Sequence, residues 1–165
     1  WEAAHLTFGL GGLLLAAGLP LLMAVADLVR PARLQTAAGI LLAVSFAGFA
    51  PGAWFEAYVA PLPGGVGERL EAGPGGTVLA VIGFAWLLGA LGYGIGLAWR
   101  GTTRAVRGAG AVMAASVAVL IALPGLPGPE GVWIIPATVA VGLALVVTAG
   151  AAVRRPAATP QPAAA

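Results

Sequence analysis

Five apolar stretches, residues 6–29, 35–54, 77–99, 105–123 and 132–153, each run for 19 to 24 residues of the 165-residue chain. A hydrocarbon core of about 30 Å is crossed by about 20 helical residues rising 1.5 Å each, so every stretch has the length of a transmembrane helix. The runs are continuous rather than alternating, which argues against the strands of a membrane barrel. Only 8% of the residues are charged and 60% are hydrophobic, whereas soluble domains carry roughly 25% charged residues. Such a chain lacks the polar groups to wet a globular surface. The expected fold class is therefore all-α: a polytopic transmembrane helix bundle with five spans, one domain over 1–155. A Pro/Ala tail, 156–165, follows and is expected to be disordered.

Charge placement predicts the orientation. Arg30 and Arg33 separate the first two spans, Arg100, Arg104 and Arg107 separate the third from the fourth, and Arg154 and Arg155 follow the fifth. Seven of the eight arginines thus fall on one side, and only Arg69 joins Glu2, Glu56, Glu68, Glu71 and Glu130 on the other. Basic residues are retained on the cytoplasmic face, so Trp1 is expected outside and the C-terminus inside, in a bacterial plasma membrane. An external N-terminus must itself be translocated, which predicts a further hydrophobic segment upstream, either a sixth helix or a cleaved signal. Aromatic residues anchor the span edges as expected for rings with one wet end: Trp1, Trp54, Phe55, Tyr58 and Trp133 outside, Trp99 inside. Pro51-Gly52 predicts a kink, or a stop followed by a short interfacial piece through Tyr58. Pro20 is expected to bend the first span, and Pro136 to sit in the first turn of the fifth, where a missing N–H costs nothing.

Two absences remove whole classes of chemistry. With no cysteine there is no disulfide, thiolate nucleophile or thiol exchange. All eight basic residues are arginine, which excludes a Schiff-base lysine and a Lys-dependent phosphate loop. The net charge of +2 comes from arginines at helix ends and is no nucleic-acid footprint; no nucleic-acid partner is expected.

Between helices in lipid, close backbone approach replaces the hydrophobic drive, so small residues mark contact faces. Ala85, Gly89, Gly92 and Gly96 form one helical stripe on the third span, and Ala111, Ala115, Ala118 and Ala122 form another on the fourth. The short 100–104 connection makes these spans antiparallel neighbours, and the two stripes are expected to face each other. A faint two-fold repetition pairs the hairpin of spans one and two with that of three and four, each second helix running to Pro-Gly at 51–52 and 124–125. Such parallel repeats occur in transporters. In the external connection 55–76, Pro61, Pro63, Pro74 and seven glycines between 52 and 76 exclude a long helix, leaving one or two turns between Val66 and Ala72.

Few residues carry candidate chemistry. Asp27 is the charged side chain inside a span, and intramembrane acids are functional hypotheses by default. It lies three residues before Arg30, close enough to pair with it, so a structural ion pair is the leading reading and a coupling role the competing one. Glu2-x-x-His5 places both groups on one helical face, as in carboxylate-bridged metal sites, with Glu56, Glu68 or Glu71 available to complete an external site. Such sites use two copies of the motif and this chain has one, so interfacial solvation of His5 is favoured and no metal or cofactor is expected. Trp86 and Tyr93, seven apart in the third span, could line a ligand cavity between helices, or simply pack. Gly92-Tyr-Gly94-Ile-Gly96 lacks the spacing and preceding strand of a dinucleotide fingerprint. Ser45, Ser116, Thr138 and Thr148 are the hydroxyls at depth, with no histidine or carboxylate beside them in sequence, so no catalytic constellation is expected.

Trp54-Phe55-Glu56-Ala57-Tyr58 closing the second span, Gly96-Leu-Ala-Trp-Arg100 ending the third and the Arg-spaced turn opening the next make residues 35–125 similar to small multipass membrane proteins of actinobacterial type, whose function is unknown. The resemblance implies a bundle of five or six helices and assigns no functional residue. The sequence thus predicts a non-catalytic bundle acting as an accessory subunit or as a binder of an apolar or lipid-like ligand. The competing reading is a small permease or the membrane component of an uptake system; a membrane enzyme ranks third. The expected partners are the lipid bilayer and a membrane protein or a second copy of the chain.

Overall fold

A computed structural model describes residues 2–25, 33–123 and 131–154. Six helices are present: α1 (Glu2–Val25), α2 (Arg33–Tyr58), α3 (Val66–Glu71), α4 (Pro74–Arg100), α5 (Arg104–Ala122) and α6 (Gly131–Val153). All but α3 contain a window long and apolar enough to cross a membrane, and only 17–33% of the residues in each window are buried. Large side chains point outward: Leu14, Leu21, Val81, Phe84, Leu88, Leu143 and Val146 are each more than 60% exposed. The fully enclosed core is small, built on Leu42, Tyr93, Leu97, Val106, Met113 and Val117. Helices hydrophobic on all faces need an apolar medium around them. The candidate pair Asp27 and Arg30, together with Trp1, Glu130, the Trp133 side chain, Arg155, the 124–125 Pro-Gly and the 156–165 tail, lies outside the described residues.

The helices pack in chain order, α1 on α2, α2 on α4, α4 on α5 and α5 on α6, while α1 and α6 meet along only a narrow line. Glycine contacts fix the registers. Gly9 lies against Ala53, Gly12 against Phe46 and Gly39 against Met23, which makes α1 and α2 antiparallel. Gly48 faces Ile82, Gly52 faces Leu79 and Gly89 faces Leu42, setting α2 against α4 in the same sense. This alternation gathers Arg33, Arg100, Arg104 and Arg107 at one end of the bundle and Glu2, Glu56, Glu68 and Glu71 at the other.

Three expectations are corrected. First, α2 runs unbroken through Pro51 to Tyr58, so the connection is 59–73 rather than 55–76. Within it, positive φ at Gly64 and Gly65 turns the chain into α3, and Gly73 and Pro74 open α4 as N-cap and N1. Second, Pro136 lies inside α6, beyond its first turn, because the helix starts at Gly131. Third, the small-residue stripes do not face each other. Ala111, Ala115, Ala118 and Ala122 are all exposed on the outer face of α5. Gly89, Gly92 and Gly96 instead meet Leu42, Ala38 and Gln35 of α2, with Ala85 half-buried on the same helix. The α4–α5 contact uses a different α4 face: a Cβ at Gly94 would sit 2.9 Å from the Ala114 amide nitrogen and 3.0 Å from the Gly110 carbonyl oxygen. Small residues populate two faces of α4, and the face toward α5 is the one carrying Gly94.

Candidate functional site

α1 and α6 touch only sparsely, and a chamber of about 230 Å³ lies between them at mid-depth. Phe8 and Leu15 of α1 form one wall and Thr138, Val141, Gly142 and Leu145 of α6 the other; Phe46 and Phe49 of α2 and Trp86 of α4 close the back. Gly142 contributes to the space directly, since a Cβ there would meet nothing within 4 Å. The rings are interlocked: Phe8 and Phe49 stand 5.8 Å apart, and Phe49 meets Trp86 edge-on at 6.3 Å and 60°, a favourable arrangement for aromatic quadrupoles. The Trp86 indole N–H is buried without a hydrogen-bond partner.

A second cavity, about 540 Å³, lies above the first at the glutamate-bearing end, lined by Ala4, His5, Phe8, Phe49, Gly52, Ala53, Glu56 and Leu79. Phe8 and Phe49 belong to both linings, so this ring pair lies where an outer, partly polar cavity and an inner, apolar one adjoin. Antiparallel pairing of α1 and α2 also brings Glu2 into hydrogen-bonding contact with the Tyr58 hydroxyl, and Trp54 packs on Tyr58 at 5.0 Å. Sequence reasoning offered Glu56, which shares a cavity lining with His5, as a companion to Glu2 and His5, but anchored Tyr58 to the membrane edge without pairing it with α1. The signal was the hairpin itself, which sets the first turn of α1 beside the last turn of α2.

None of the cavities described among these helices is lined by both Trp86 and Tyr93. Trp86 lines the inner chamber, whereas Tyr93 is 1% exposed within the core, its ring against Gly39 of α2. Its carbonyl accepts a 3.1 Å hydrogen bond from Gln35 Nε2. Both rings lie against α2, Trp86 at Phe49 and Tyr93 at Gly39. Among the described residues no three His, Asp or Glu side chains gather as a metal site, so Glu68 and Glu71 do not complete the Glu2/His5 pattern. The hydroxyls of Ser45, Thr138 and Thr148 each donate to the carbonyl four residues back, at 2.7–2.8 Å, the ordinary way for a helix in an apolar medium to satisfy them. No carboxylate or histidine lines the inner chamber. No protein-family model, curated protein or solved structure matches this chain.

Proposed function

We propose that this chain is a non-catalytic, multi-pass protein of the bacterial plasma membrane that holds an apolar or lipid-like ligand in the chamber between α1 and α6, acting as an accessory or binding subunit. The arginine-bearing end faces the cytoplasm and the Glu2/His5/Glu56 end faces outward. The carrying observation is the inner chamber: ring-lined, without an ionisable side chain, and placed where the helix packing is thinnest. Pockets of this kind, mostly apolar with one or two polar groups, are the usual form of small-molecule sites; Thr138 and the partnerless Trp86 indole are the polar groups here. Purification in mild detergent followed by mass spectrometry tests the reading. A bound apolar molecule is expected with the unaltered chain and its loss with Gly142→Phe, which fills the chamber; equal retention by both would overturn it.

One observation favours a second reading, a small permease. Phe8 and Phe49 line both the outer and the inner cavity, so in this reading rotation of one ring would join them into a path from the outer surface to mid-membrane. Phe49→Ala distinguishes the two functions in proteoliposomes. A permease would pass an apolar fluorescent probe faster through the widened junction, whereas a binder would change only the amount of probe retained.

A further inference from the structure

The chamber is not the only built recess. On the opposite side of the core, α2 and α4 enclose a cleft of about 500 Å³ that reaches the arginine-bearing end of the bundle. Its floor is made shallow by Ala37, Ala38, Gly92 and Gly96, and its flanks are apolar. Gln35 also borders it, but its amide is turned inward, the nitrogen to the Tyr93 carbonyl and the oxygen against Gly96. The Gln35 oxygen is buried there without a hydrogen-bond partner, and the rest of the floor is apolar. At the mouth stand Arg100 and Trp99, the latter 83% exposed.

We infer that this cleft seats one anionic phospholipid, with its phosphate on Arg100 and one acyl chain laid along the floor. The inference rests on the membrane reading above. Two features select this occupant. From Arg100 to Leu88 the cleft follows twelve residues of α4, about 18 Å at helical rise, and one leaflet of the hydrocarbon core is about 15 Å deep. The cleft thus spans a single leaflet, from the membrane edge to the midplane, which is the reach of one acyl chain. The charge at the mouth is a guanidinium, whose fork of donors matches phosphate oxygens bidentately, and Trp99 is placed as an interfacial anchor beside it.

The test is native mass spectrometry of the full chain released from bicelles of equal parts phosphatidylglycerol and phosphatidylcholine. Retention of phosphatidylglycerol over phosphatidylcholine is expected. Arg100→Gln should reduce that preference about fivefold, the effect of one basic residue at a lipid surface. Arg154→Gln, at the same end but outside the cleft, should leave the preference unchanged. Ala37→Phe, which fills the cleft from an exposed position, should reduce retention of both lipids while circular dichroism stays helical. Equal retention of the two lipids, equal effects of the two arginine substitutions, or a second copy of the chain cross-linked through residue 37 would overturn the inference. Recovery of the chain from the aqueous fraction without detergent would instead sink the membrane reading on which it depends.

Discussion

Gly110 is one of the positions where the contact between α4 and α5 leaves no room for a side chain. A Cβ there would come closer than 3.0 Å to the Ala98 nitrogen, Leu97 Cβ and the Gly94 carbonyl oxygen, two of them backbone atoms that cannot move aside. Gly110→Leu should therefore destabilise the bundle by about 1–3 kcal/mol or more, read by denaturant titration in detergent with circular dichroism. Ala115→Leu should stay within about 0.5 kcal/mol, because Ala115 faces outward. The contrast shows what the sequence withheld. Small residues at helical spacing announce that α4 and α5 can be approached closely, but α4 carries such residues on two faces and the helices are apolar all round, so nothing in the pattern says which neighbour each face meets. Gln35 makes a related point. Its buried amide donates to a carbonyl at 3.1 Å while its oxygen is left without a partner, and interhelical hydrogen bonds in membranes average about 0.6 kcal/mol. Gln35→Met, which preserves the volume, should lose no more than that in the same titration.

At the scale of elements, all five long helices were legible because length and apolarity alone determine a span. Their ends were less so. Pro51 reads as a kink or a stop, and of these α2 excludes the stop by continuing through it to Tyr58; in an apolar medium a helix keeps its remaining backbone hydrogen bonds, because the alternative is unpaired groups. The turn from α4 to α5 is the reverse case, decided by short-range chemistry. Gly101 donates to the Leu97 carbonyl at 2.9 Å, and Thr103 Oγ1 accepts from the Val106 amide at 3.2 Å, an N-cap that satisfies one orphan donor. Thr103→Ala should cost about 1 kcal/mol, measurable by the same titration. The candidate chamber was half legible: Trp86 could be named from its depth in the span, but Phe8, Phe49 and Gly142 come from three other helices and meet it only through the tertiary packing.

Across the described residues, chain-consecutive long helices alternate in direction, gathering every described arginine except Arg69 at one end and the glutamates at the other, with large apolar side chains facing outward. On the proposed reading, lipid is the surrounding medium that accounts for that distribution, and the charge asymmetry directs the arginine-bearing end to the cytoplasm. The absence of cysteine makes both claims accessible to one measurement, accessibility of single introduced cysteines to a membrane-impermeant maleimide in intact cells. Leu62→Cys lies in the connection between α2 and α4, and Thr102→Cys in the exposed turn between α4 and α5. Labelling at 62 in intact cells, with labelling at 102 only after permeabilisation, is expected. Labelling at 102 in intact cells, or recovery of the chain in the aqueous fraction without detergent, would contradict it.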